Sequence, residues 1–202
     1  MIEKLNKLDI KFKILEKIFL IIGKISIFIN KLIYQKRFII KNNFKVWGNI
    51  RLLIDGTGKI DIGENFHAVS NKKRSYFTIF SPCHLTIVHE GIIEIGNNVG
   101  LNGNTIVAKK KIYIGDYTMI GPNTIITDHN VHQISSKDRW SSKDNPKEII
   151  IGKNCWIGMN CTILKGVKIG DNTVIGAGSV VIENCDENSV YRGNPAKKIK
   201  DI

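Results

Sequence analysis

Ile151-Gly152-Lys153-Asn154-Cys155-Trp156-Ile157-Gly158-Met159-Asn160-Cys161-Thr162-Ile163-Leu164-Lys165-Gly166-Val167-Lys168-Ile169-Gly170 decides the fold, because an aliphatic residue returns every sixth position. The same beat extends both ways, giving openers at Ile95, Leu101, Val107, Ile114, Ile120, Ile126, Ile151, Ile157, Ile163, Ile169, Ile175 and Val181. Glycine follows the opener at Gly96, Gly115, Gly121, Gly152, Gly158, Gly170 and Gly176. Small or β-branched residues take the fifth position, among them Val99, Thr105, Cys155, Cys161, Thr173, Ser179 and Cys185. A period of six suits neither a helix nor an amphipathic strand. It suits a solenoid whose coil is three short strands with the openers stacked inside. Gly and Asn then serve the corners, where positive φ is common. The step from Ile95 to Ile114 is one residue longer than a coil, which points to Tyr113 as the extra residue. The repeat stops after Val131 and resumes at Ile151, so 132–150 is read as an inserted loop. An aperiodic loop of this length, with Asp138, Arg139, Trp140, Ser141, Ser142 and Pro146, is usually functional or disordered.

The rest of the chain divides by pattern into four segments. Residues 1–43 are a basic helical extension, 44–91 irregular first coils, 92–187 the regular repeat and 188–202 a tail. Within 1–41, Leu5, Leu8, Phe12, Leu15, Ile18, Phe19, Ile22, Ile25, Ile29 and Leu32 recur at threes and fours. Lys17, Lys24 and Lys31 cut the apolar run into pieces too short to span a bilayer. No small-residue cleavage site follows it, so a signal peptide is not expected. Residues 1–45 hold eleven Lys/Arg against Glu3, Asp9 and Glu16, which is +8 of the net +12. No RNA-binding signature accompanies the charge, so nucleic acid is not expected; a membrane surface or an anionic lipid-linked glycan is, while the helix itself suits either a membrane surface or a protein partner. Cys155, Cys161 and Cys185 take inward positions without CxxC pairing, which argues for buried reduced thiols in a cytosolic protein; Cys83 lies outside the array.

The hexads, together with the ending Tyr191-Arg192-Gly193-Asn194-Pro195-Ala196-Lys197, resemble the hexapeptide-repeat acyltransferases, and within them the sugar and polysaccharide O-acetyltransferases. The resemblance covers Ile92 to Ile202 and implies a left-handed parallel β-helix preceded by the N-terminal helix. It also implies acetyl-CoA as co-substrate without a metal, a sugar or glycan acceptor, and a homotrimer with active sites between subunits. The expected location is the cytoplasm, or the inner face of the membrane through residues 1–41.

Acyl transfer to a hydroxyl needs a base for the hydroxyl proton, and imidazole suits neutral pH. Of His67, His84, His89, His129 and His132, two fall in Thr127-Asp128-His129-Asn130-Val131-His132, where the repeat enters the inserted loop. The resemblance places the catalytic His at this corner, but Val131 shifts the motif by a residue. His132 is taken as the base, His129 as an acceptor ligand or alternate base, and Asp128 as an orienting group or a sugar ligand. Asn102 and Asn104 lie one coil earlier, near where the resemblance implies acceptor-binding Asn. For acetyl-CoA the resemblance implies Trp156, Met159, Gly176 and Ala177 along the pantetheine arm, with Lys197 and Lys200 near its phosphates. Glu183 stands where the galactoside enzymes carry Lys, a departure at the phosphate end. N-acetylation of an amino sugar uses the same scaffold, and a non-enzymatic membrane-docked scaffold is the remaining class. A γ-class carbonic anhydrase would need three converging His, and only His129 and His132 are neighbours. No Ser or Cys has a triad context, so a covalent acetyl-enzyme is not expected.

Overall fold

A computed structural model describes residues 2–133, 135, 137, 139–140 and 145–202, with side chains from Phe12 onward. Asp138, Ser141 and Ser142 of the inserted loop lie outside the described residues. Three parallel sheets form a prism around one core. The first face stacks Phe38–Ile40, Lys59–Ile62, Ile92–Ile95, Lys111–Ile114, Ile149–Ile151 and Lys168–Ile169. The second stacks Lys45–Gly48, His67–Ser70, Gly100–Asn102, Met119–Ile120, Trp156–Ile157 and Val174–Ile175, then adds Ser189–Gly193 and the antiparallel Ala196–Asp201. The third stacks Arg51–Ile54, His84–Ile87, Thr105–Ala108, Ile125–Thr127, Thr162–Ile163 and Val180–Val181. Like residues pair with like up each face, as in Ile93, Ile112 and Ile149 or Ile126 and Ile163. Each coil thus lays its aliphatic side chains on those of the next.

All the openers are buried except one. The exception is Val107: its neighbours Ile106 and Ala108 point inward, and Ile106 pairs with Ile126. Tyr113 is not the extra residue either, since it pairs in register with Glu94 and Ile150. The surplus falls at the Lys109-Lys110 corner between Thr105–Ala108 and Lys111–Ile114. A strand must keep its two-residue alternation, so an irregular coil absorbs added length at a corner.

Asn43, Asn65, Asn98, Asn123, Asn154, Asn160, Asn172 and Asn188 carry positive φ, as their short side chains allow, and His89, Tyr117, Gly56, Gly103, Gly166 and Gly178 do so at other turns. The glycines after the openers are needed for closeness instead. A Cβ on Gly115 would lie 2.6 Å from the carbonyl carbon of Gly152, and one on Gly158 would lie 2.5 Å from the Ala177 nitrogen.

The ladders begin at Phe38 and run unbroken through 44–91, where the sequence pattern is faint. An excursion between His67–Ser70 and His84–Ile87 interrupts the rhythm there. Asn123 staples that excursion, accepting from the Phe80 amide at 2.9 Å and donating to the Thr78 carbonyl at 2.9 Å. The helix covers Ile2–Tyr34, ending before the 41 expected, because Phe38–Ile40 is already the first strand. It closes the open end of the prism through Phe19, Gly23, Ser26 and Ile27. Ser26 Oγ bonds Asn49 and the Ile50 carbonyl, and Tyr34 Oη bonds the Leu52 carbonyl at 3.0 Å. Among the described residues no helix is long and apolar enough to cross a membrane.

Candidate active site

The turns joining the second face to the third repeat as Gly121-Pro122, Gly158-Met159 and Gly176-Ala177. They line one side of a groove of about 330 Å³, whose other walls are Trp156, Val174, Ile175 and Phe77. Trp156 is outward on a two-residue strand and 57% exposed, so its ring stands as a wall rather than as core. All four residues expected along an acyl carrier, Trp156, Met159, Gly176 and Ala177, are brought together here. Phe77 was not foreseen, because it arrives on the 71–83 excursion, which carries no repeat; its signal was the Tyr76-Phe77 pair in a polar stretch.

The two lysines expected at the far end are on the closing hairpin, which turns at Asn194-Pro195. Lys197 Nζ lies 3.1 Å from Glu183, an exposed pair that water screens. Lys198, between them, holds Asp186 and Asp201 at 3.0 and 2.8 Å. Hydrogen bonding to Lys198 keeps the Asp186 carboxyl below its ordinary range. Arg192 faces Lys197 across the hairpin, and its Cβ would be 2.9 Å from a Cβ on Gly176. The Arg192 Cβ therefore stands next to Gly176 of the groove, a basic position that sequence reasoning passed over.

A second pocket, about 350 Å³, opens higher on the same face between Trp47, Val69, Arg74, Tyr76, Asn102 and Met119. Met119 pairs with Trp156 on the sheet, and Tyr76 precedes Phe77, so pocket and groove are neighbours. Among the described residues, Asn102 Oδ1, Trp47 Nε1 and Arg74 Nε are buried here and meet no hydrogen-bond partner. An aromatic wall with two donors and one acceptor left over suits a hydroxylated ligand. Arg74 is held by Glu16 at 3.3 Å and stacks over Trp47 at 5.0 Å. Asn104 differs from Asn102. It is fully buried and spends its side chain on the Asn102 amide at 2.6 Å and the Gly121 carbonyl at 2.7 Å. It shapes the turn, and its polar atoms are not open to a sugar.

The histidine corner lies elsewhere on the prism, between the third face and the first. Asp128 is fully buried, and its carboxylate accepts the backbone N–H groups of Lys109, Lys110 and Lys111 at 2.7–2.8 Å. Turned inward, it is no sugar ligand. It caps the surplus corner and meets His129 Nδ1 at 3.1 Å. The Asp128 carbonyl also accepts the Lys147 amide at 2.9 Å, tying together the two ends of the inserted loop. His129 is nearly buried, whereas His132 is outward. His132 Nδ1 lies 3.0 Å from the Arg139 carbonyl, and its ring packs edge-on to Trp140 at 5.9 Å. A carbonyl only accepts, so Nδ1 is the donor in this contact, which leaves Nε2 as the nitrogen that can accept a proton. Among the described residues no His, Cys, Asp or Glu cluster could hold a metal.

A groove lined by successive repeat turns on a three-sided parallel prism, with an outward imidazole at an inserted loop, fits an acyltransferase of the β-helix type. The family of bacterial transferase hexapeptide repeats matches residues 148–183. A lipopolysaccharide-biosynthesis O-acetyl transferase of Escherichia coli K12 is 34% identical over 156 residues, 73% of this chain and 74% of the relative. The galactoside O-acetyltransferase of the same organism is 42% identical over 113 residues, about half of each chain (54% and 54%). A galactoside acetyltransferase solved in complex with coenzyme A superposes with TM-score 0.53 at 27% identity, covering 86% of this chain and 69% of that one. The chain belongs to the hexapeptide-repeat acyltransferases, in the sugar and polysaccharide O-acetyltransferase branch, and its prism is their left-handed parallel β-helix.

Proposed function

We propose that this protein transfers the acetyl group of acetyl-CoA to a hydroxyl of a sugar or cell-surface polysaccharide precursor, at sites shared by the subunits of a homotrimer. The observation that carries the reading is the separation of groove and base. The groove runs along the edge between the second and third faces, and His132 stands at the edge between the third and first. A strand of about four residues spans roughly 13 Å, too far for one copy's His132 to reach its own groove. A neighbouring copy presents its His132 instead, and cyclic symmetry repeats the arrangement.

In this reading the pantetheine arm lies against Trp156, Met159, Gly176 and Ala177, with Arg192, Lys197 and Lys200 toward the phosphates. The acceptor sugar stacks in the pocket of Trp47 and Tyr76, bonded by Asn102 Oδ1 and Trp47 Nε1. His132 Nε2 takes the proton as the acceptor oxygen attacks the thioester carbonyl. The tetrahedral intermediate collapses, the C–S bond breaks, and the imidazolium returns the proton to the leaving thiolate. His129, fixed by Asp128, borders the acceptor. Docked on lipid or free, the enzyme works where activated sugars are made, on the cytoplasmic side.

The test is thiol release from acetyl-CoA against a panel of sugar nucleotides, oligosaccharides and amino sugars. His132→Ala should lower kcat about 10²–10⁴-fold, with acetyl-CoA affinity near the parent's. His129→Ala should change acceptor KM more than kcat, and Lys197→Ala should weaken acetyl-CoA binding. Transfer to amines alone would replace O- by N-acetylation. Unchanged turnover in both His variants would refute base catalysis at this corner.

A further inference from the structure

The capping helix has three faces. Phe19, Gly23, Ser26 and Ile27 are turned to the prism. Ile14, Ile18, Ile21, Ile25, Phe28 and Leu32 follow steps of four and three, which place them on one opposite stripe. Each of these six is 44–62% exposed. The stripe runs about 27 Å at 1.5 Å per residue. Lys17, Lys24 and Lys31 recur every seven residues, along one flank of it. From Lys17 to Ile54 the chain has eight Lys/Arg and no Asp or Glu. Glu16 is turned to the body, where Arg74 neutralises it.

We infer that this end of the prism docks on an anionic lipid surface, with the helix lying in the headgroup region. A basic helix of this kind buries its apolar face roughly 5–10 Å deep. The charge selects the occupant. A second copy would bring its own eight cations against these, whereas anionic headgroups complement them. The bonds from Ser26, Tyr34 and Lys31 to Asn49, Ile50, Leu52 and Ile40 fix the helix across the prism end. The apolar stripe is therefore presented by a rigid body and looks away from the coils. Copies related by an axis along the prism would present their stripes in one plane, and bind by avidity.

The test is co-flotation of the full-length protein with vesicles of phosphatidylcholine alone or with a phosphatidylglycerol fraction. Binding should require the anionic lipid and be lost as salt rises. Lys17→Gln/Lys24→Gln should weaken it by about fivefold per cation removed, and Phe28→Asp/Ile21→Asp should abolish it. Both pairs are outward, so thermal stability and transfer to a soluble acceptor should stay at the parent's level. Equal binding to neutral vesicles, or none to either, would overturn the proposal. So would an Asp variant that changes oligomeric mass by light scattering, since the stripe would then be an interface between copies.

Discussion

Asp128→Asn probes the corner on which the inserted loop depends. The native carboxylate is without solvent exposure and takes three backbone N–H groups, two on Oδ2 and one on Oδ1, besides His129 Nδ1. Asparagine keeps one oxygen and turns an NH₂ toward donors, so about two of these bonds become donor–donor contacts. Hydrogen bonds to a charged group contribute about 1.5–3 kcal/mol each. The Lys109–Lys111 backbone borders solvent, and water recovers part of the loss. A net destabilisation of about 3 kcal/mol follows, which lowers Tm by roughly 6–12 °C in a chain of this size. Circular dichroism melts read this directly. Because the Asp128 carbonyl also anchors Lys147, trypsin should cut faster at Lys137 or Arg139 in the variant. A Tm within about 2 °C of the parent and an unchanged cleavage rate would show that the carboxylate does not organise this corner.

Ile169→Asp should bury an unpaired carboxylate at a position 2% exposed and cost several kcal/mol; a melt like the parent's would refute the inward register. All four thiols are buried, and burial pushes each of them up, Cys185 to about 12. A thiol reagent at pH 7.5 should therefore label none in the native protein and four in guanidinium; rapid native labelling would count against the core placement. Burial first, then Lys45 and Arg51 respectively, lowers the pKa of His67 and His84 below the ordinary 6.5. The unfolded chain then binds protons more readily, so their contribution is present above about pH 6.5 and lost as pH falls below it. Replacing both by Gln should flatten the decline in Tm between pH 7 and 5.5, and an equally steep decline would exclude them as its source.

The six-residue period determined the prism by itself, because only a three-sided coil returns every sixth side chain to one core. Trp156, Met159, Gly176 and Ala177 were singled out by the resemblance rather than by the period, and the structure gathers them on one groove because they lie on successive coils of one edge. Val107 and Tyr113 were misplaced, because a corner can take up a residue without disturbing the alternation on either side. Phe77, Arg192 and the Trp47–Arg74–Tyr76 pocket were not legible, since an excursion and a hairpin outside the repeat carry them to the second face. Asn102 and Asn104 look alike in sequence, and only packing gives one to the turn and leaves the buried oxygen of the other without a partner among the described residues. The same holds at Asp128: its type suggested a ligand, but three converging N–H groups of a distant corner claim both its oxygens. A periodic sequence fixes what stacks on itself; contacts between segments far apart in the chain are decided only when the coils close.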